Sequence, residues 1–267
     1  KGKALNMPIC KLLGGVQRDK VRAYGSTLMP YTPQEAAEEA LRWKEQGFSA
    51  VKMGWGGFEL PQSECVKLVE ATRNAIGDDM DMMLDIGFIP SGDFNVTAAS
   101  RLLLINEIRE FKPYWIEEAV YPDDYEGYKM LVESTDVRIA GGENETTRYG
   151  FKQLIEVCKL DILQPDITRC GGLTEAKRIG AMATAHNTTV IPHAWSSGIV
   201  IAASLHFIAT QSNSNLLEYC VWDTPIRKEM LKQDFKLRDG YVDVPMGPGL
   251  GIEIDDEAIQ KYRCDII

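Results

Sequence analysis

Eight short apolar runs, separated by segments of helical spacing, constrain this 267-residue chain more than any other feature. They are VRAYGS (21–26), AVKMGW (50–55), DMMLDI (81–86), YWIEEA (114–119), RIAGGE (138–143), DILQPDI (161–167), TTVIPHA (188–194) and LLEYCV (216–221). Strand, helix, strand, repeated in this way, predicts a parallel sheet, because parallel neighbours need a crossover and the crossover is usually a helix. A count of eight favours closure into a barrel, which one domain of this length can form. An open doubly wound sheet alternates in the same way, but no G-x-G-x-x-G turn follows the first run.

The intervening segments carry their own signals. TPQEAAEEALRWKEQG (32–47) opens on a Thr32-x-x-Glu35 capping box and stops at Gly47. TEAKRIGAMATAHN (174–187) puts Ala176, Ile179, Gly180 and Ala183 on one stripe. The stretch after YWIEEA is less regular and predicts only a short helix within PDDYEGYKMLVEST. Near the end, GPGLG (247–251) follows no strand and opens no long helix with a lysine, so it reads as a turn and not a phosphate cradle. No linker or low-complexity segment divides the chain.

The net charge is −10 with no basic block, which argues against a nucleic-acid partner. The longest apolar stretch, GIVIAASLHFIA (198–209), is too short to span a bilayer and contains His206. No secretory signal is present, and the six cysteines are scattered without a CxxC pair. Reduced thiols in a cytoplasmic protein are therefore expected.

Polar residues end nearly every run. They are Lys52, Asp85, Glu117 with Glu118, Glu143, Asp166, His193 and Glu218, on runs two to eight. Taken singly, each suits a helix cap or a solvated rim. As a set they fit the C-terminal mouth of a barrel, where catalytic groups gather from different strands. Asp85, Glu117 and Glu143, on successive strands, would repel one another unless a cation sat between them. Three carboxylates without thiolate or imidazole suit Mg²⁺. Lys52 would cancel the negative charge left over. Asp166 and His193, on adjacent strands, form a carboxylate–imidazole pair of the kind that builds a general base. His186 and His206 fall at the end of a helix and within one, and are expected to be structural.

These motifs, MMLDIG, YWIEEA, GGEN, QPDITRCGGLTEAKRI, IPHAWSSGI and LLEYC, resemble in order and register the barrel domain of the enolase superfamily, mandelate racemase subgroup. The resemblance implies a modified TIM barrel of (β/α)7β type and one Mg²⁺ held by Asp85, Glu117 and Glu143. It also implies removal of the proton α to a small-molecule carboxylate, giving a metal-stabilised enediolate. By the same resemblance, Glu218 would be a protonated acid donating to the substrate carboxylate. Lys52, Trp195 and Asn144 are expected to contact substrate, and a homo-oligomer is expected. The segment KGKALNMPICKLLGG resembles the one that joins the subgroup's N-terminal capping domain to the barrel, and the cap itself is expected to be missing. The expected division is 1–18 as a remnant of the linker from it, 19–240 as the barrel, and 241–267 as a tail that would pack on the cap.

Two motif positions depart from the subgroup. Its Lys-x-Lys on strand two reads Lys52-Met53-Gly54, so the second base position holds glycine and a void is expected there. Its Asp-x-Asn on strand three reads Asp85-Ile86-Gly87. One base disfavours a two-base racemisation and suits elimination on a single face. The expected function is therefore a Mg²⁺-dependent hydro-lyase, a dehydratase of an aldonic or aldaric acid giving a 2-keto-3-deoxy acid. The alternatives are a racemase or epimerase of a 2-hydroxy acid, and a non-catalytic metal-binding barrel.

Overall fold

The computed structural model describes residues 1–87 and 96–264. All eight runs form strands: β1 (Lys20–Leu28), β2 (Ala50–Gly54), β3 (Asp81–Asp85), β4 (Trp115–Glu117), β5 (Ile139–Gly141), β6 (Ile162–Leu163), β7 (Thr189–Val190) and β8 (Leu216–Cys220). β1 to β7 pair in sequence order, all parallel, and β8 returns to pair in parallel with β1, Tyr24 opposite Glu218. The doubly wound alternative is thereby removed, since its strand order reverses within the sheet. At the remaining seam β7 and β8 share no ladder among the described residues. There the Val190 N–H donates to the Asn213 carbonyl at 2.9 Å.

Alternation along the strands divides the core in two. Ala50 packs inside the barrel with Tyr24, Met83, Trp115, Ala140, Ile162, Ile191 and Leu216, a cluster to which every strand or its immediate extension contributes. Val51 and Met53 face the other way, into the larger core beneath the surrounding helices. Lys52 and Gly54 therefore share the inner face with Ala50, above that apolar plug.

The predicted helices form with the expected ends. Helix Pro33–Glu45 is capped by Thr32, whose hydroxyl accepts from the Glu35 N–H, and Gly47 beyond it has φ +93°. Helix Gly172–Ala185 buries Ala176, Ile179, Gly180 and Ala183. The short helix after β4 is Tyr125–Ser134. Helix Gly198–Ile208 is buried nearly all round, which explains its lack of a polar face. The one-turn helix Ile9–Leu12 contributes to that cover, with the Cys10 N–H donating to Nδ1 of His206. His206 is thus structural, as expected, and His186 ends the helix before β7. No described helix is long and apolar enough to cross a membrane, and all six cysteines are free.

The proposed boundary at 240/241 cuts through a hairpin. β9 (Leu237–Arg238) and β10 (Tyr241–Asp243) turn at Asp239-Gly240, both with positive φ, and β10 pairs antiparallel with the start of β1. Residues 241–243 thus belong to the barrel sheet. The tail then lies against the N-terminal segment, where the Ile9 N–H donates to the Gly249 carbonyl at 2.9 Å. GPGLG is a turn, with positive φ at Gly249 and Gly251. Residues 265–267 of the proposed tail lie outside the described residues.

Candidate active site

A cavity of about 350 Å³ opens at the C-terminal mouth of the barrel. Lys52, Asp85, Glu143, His193, Trp195 and Glu218 line it. Because β5, β6 and β7 are only two or three residues long, Glu143, Asp166 and His193 stand on the loops just beyond them rather than on the strands.

Asp85, Glu117 and Glu143 converge as expected. Each is buried and offers one carboxylate oxygen, and these atoms lie within 4.8 Å of one another. Burial, then the charges of Glu117 and Glu143, push the Asp85 carboxyl well above the ordinary range, against the pull of Lys52 and the Gly87 N–H. Such a cluster is short of positive charge. A buried, all-carboxylate donor set fits a hard divalent cation such as Mg²⁺. Glu118, next in the chain, does not join it. With φ +48° it turns away, accepting from the Gly142 N–H at 2.7 Å and the Tyr128 hydroxyl at 3.1 Å. Burial, with the charge of Glu143, raises its pKa to about 7.

Lys52 lines the cavity, but its charge is committed. Its ammonium bridges Oε1 of Glu117 at 2.5 Å and Oε1 of Glu218 at 2.9 Å. Burial alone would lower its pKa, and these two carboxylates raise it well above the usual value. The first role expected of Lys52 is therefore to neutralise the cluster, with substrate contact secondary.

Glu218 is surrounded by donors. The Ser26 hydroxyl, the Lys52 ammonium and the Ala194 N–H all donate to it. A protonated Glu218 would lose these charge-assisted bonds. Burial favours protonation, but Lys52, His193 and the donated bonds outweigh it and hold the carboxyl below the usual range. The three donors around it favour the ionised form over the protonated one.

The Asp166–His193 pair forms, Oδ2 to Nδ1 at 2.8 Å. The other Asp166 oxygen accepts from the Thr168 N–H and hydroxyl. Nδ1 thus carries a proton and Nε2 is turned to the cavity, 3.3 Å from Oε2 of Glu143. Burial opposes charge on the imidazole, but Glu218, Glu143 and the Asp166 bond prevail and raise its pKa to about 9.

Trp195 lines the cavity and packs on Trp222, ring centroids 6.1 Å apart. Asn144 does not line it. Its carboxamide accepts from Arg169 Nη1 at 3.1 Å and donates weakly to Glu143, so it buttresses the rim. Gly54 is no void either. A Cβ built there would stand 2.5 Å from Cβ of Asp85, so the space expected to be free is already filled.

Ser26, Trp55, Arg169 and Trp222 also line the cavity and escaped the sequence reading. Only Arg169 had a local signal, lying in the same DITR segment as Asp166. Ser26 and Trp222 reach the site through pairing of β1 with β8, which no single segment announces.

Residues 35–258 match the family described as Enolase C-terminal domain-like. The chain belongs to the enolase superfamily. Among curated relatives, this superfamily member is 33% identical to the D-galactarolactone cycloisomerase of Agrobacterium fabrum, over 98% of this chain and 70% of that protein. It is 35% identical to the D-galactonate dehydratase of Cronobacter sakazakii, over 97% of this chain and 69% of that one. Among solved structures, the 3,6-anhydro-D-galactonate cycloisomerase of Zobellia galactanivorans superposes with a TM-score of 0.88 at 37% identity, covering 98% of this chain and 71% of that one. The superfamily member described here is an enzyme, and these relatives are consistent with a lyase.

Proposed function

We propose that the chain is a Mg²⁺-dependent sugar-acid dehydratase, converting an aldonic or aldaric acid into its 2-keto-3-deoxy acid. The observation that carries this reading is that His193 turns Nε2 toward the cavity with Asp166 bonded to Nδ1 behind it, the arrangement of a general base. Lys52 and Glu218 are bound to each other, and Asp85 and Glu143 belong to the carboxylate cluster.

Asp85, Glu117 and Glu143 would hold the ion, whose Lewis acidity would draw electron density from the substrate carboxylate and make the α-proton more acidic. Nε2 of His193 takes that proton, while Asp166 keeps the ring oriented and stabilises the imidazolium. The C–H electron pair becomes a carbon–carbon double bond as the β C–O bond breaks. The imidazolium returns the proton to the departing hydroxyl, releasing water, and the enol tautomerises to the 2-keto acid. Engaging Glu143 with a cation removes one attraction that keeps His193 protonated.

The enzyme should be incubated with a panel of aldonic and aldaric acids and Mg²⁺, and assayed for 2-keto acids. Racemisation without any keto acid would refute the dehydratase reading. A cycloisomerase is the second reading, favoured by the two relatives so named at 33% and 37% identity. Its first step is the same, but the β-oxygen would belong to a ring. The product would then have the mass of its substrate, whereas dehydration loses one water.

A further inference from the structure

The segment Gly54-Trp55-Gly56 holds a tryptophan where glycine would be expected. Trp55 has φ +55° and ψ −145°, next to a region that essentially only glycine occupies. Its flanking residues are glycines, yet the strained position carries the largest side chain available. Three contacts hold it there. The Trp55 N–H donates to the Asp85 carbonyl at 3.0 Å, and the Phe58 N–H donates to the Trp55 carbonyl at 2.9 Å. The indole Nε1–H reaches across to Oδ2 of Asp85 at 3.1 Å.

The opposite oxygen of Asp85 is held by the Gly87 N–H at 3.0 Å. The two glycines that depart from the subgroup pattern both press on this same side chain. A Cβ at Gly54 would lie 2.5 Å from Cβ of Asp85, and one at Gly87 would lie 2.6 Å from Oδ1. Glycine, tryptophan and glycine thus form one nest around a single carboxylate. The indole also lines the cavity.

We propose that Trp55 is a positioning residue for Asp85, and that its indole N–H fixes the carboxylate orientation needed to bind a divalent cation at the Asp85–Glu117–Glu143 cluster. This rests on the metal reading given above. Donors to a ligating group are known to matter, and losing one typically costs about 10–100-fold in metal affinity. The strained backbone then has a reason, because it aims the indole at Asp85 on the adjacent strand.

Mg²⁺ titration calorimetry on the unmodified chain, Trp55→Phe, Trp55→His and Trp55→Gly tests this, with thermal melting of each. Trp55→Phe keeps an aromatic wall and loses the donor, and should bind Mg²⁺ about 10-fold more weakly or worse. Trp55→His restores a ring N–H and should recover part of the loss. Trp55→Gly relieves the backbone strain, so it should melt no lower than Trp55→Phe while binding as poorly. A merely structural tryptophan would show the reverse, with stability lost and the affinity of the folded protein kept. Wild-type affinity in a folded Trp55→Phe overturns the proposal alone. Failure of the unmodified chain to bind Mg²⁺ overturns the metal reading and this proposal with it.

Discussion

Gly54→Ala puts a single methyl group against Asp85. The built Cβ lies 2.5 Å from the Asp85 Cβ, 3.0 Å from its carbonyl oxygen and 3.1 Å from its Cγ. Ordinary carbon–carbon contacts are about 3.5–4.0 Å, so relief requires a shift of about 1 Å. None of these atoms is the far end of a flexible side chain, and Gly54 ends a strand paired on both sides, to Leu28 and to Asp85. Overpacking of this kind costs about 1–3 kcal/mol. Replacing glycine by alanine within a strand gains about 0.5–1 kcal/mol from backbone entropy, and Gly54 has no positive φ to forbid it. The steric term is the larger, so the net expectation is destabilisation of about 1–2 kcal/mol. At about 2–4 °C per kcal/mol for a chain near this size, melting should fall by several degrees. Function should suffer more, because a displacement of about 1 Å at a reacting site can cost about 10²-fold. Thermal melts, Mg²⁺ titration and the 2-keto acid assay on one preparation read all three. A variant that melts at or above wild type and binds Mg²⁺ normally would mean that the position is the void first expected, and the steric reasoning would fall.

Lys52→Met removes the cation between Glu117 and Glu218. It should destabilise by about 3–5 kcal/mol, as expected when a buried pair loses one partner. Lowering the pH should narrow that deficit in chemical denaturation, because an orphaned carboxylate can then protonate. His193→Asn should cut turnover by about 10²–10⁴-fold while Mg²⁺ binding in calorimetry persists; unchanged turnover would end the single-base mechanism. Asp166 is held below the usual carboxyl range, burial being outweighed by the donors from His193 and Thr168. A depressed folded pKa stabilises above the unfolded value of about 3.9 and loses that stabilisation as pH falls through the folded one. Asp166→Asn should therefore melt below wild type at neutral pH in EDTA, with the gap closing toward acid.

The barrel was legible because its two hydrophobic environments differ along each strand. In AVKMG the residues bound for the helix layer and those bound for the plug alternate, and the alternation survives in the folded chain. The Asp239-Gly240 hairpin carried a turn signal of equal kind, but its strands are too short and too exposed to show alternation. The carboxylate cluster was legible by position, since one acid per successive strand can only meet at the mouth. What position could not convey was direction and charge state. Glu117 and Glu118 are neighbours with opposite fates, decided by a positive φ at Glu118 and by the Gly142 N–H and Tyr128 hydroxyl that reward it. The donors that surround Glu218 come from β1, β2 and the loop after β7, three segments remote in sequence.

Gly54 shows why an absent side chain is weaker evidence than a present one. The sequence states that no base stands there; only packing states what stands there instead. Asp85 occupies the space and Trp55 closes over its carboxylate, so the position of a second lysine is filled by a carboxylate of the cluster and by an indole. The one-base argument therefore rests on occupancy by other groups and not on vacancy. That is the stronger form, because a vacant position could admit water as a second proton donor. On the proposed mechanism, the intermediate formed after α-proton removal either recaptures the proton from His193, which restores the substrate, or expels its β-oxygen, which leaves as water or stays tethered as part of an opened ring.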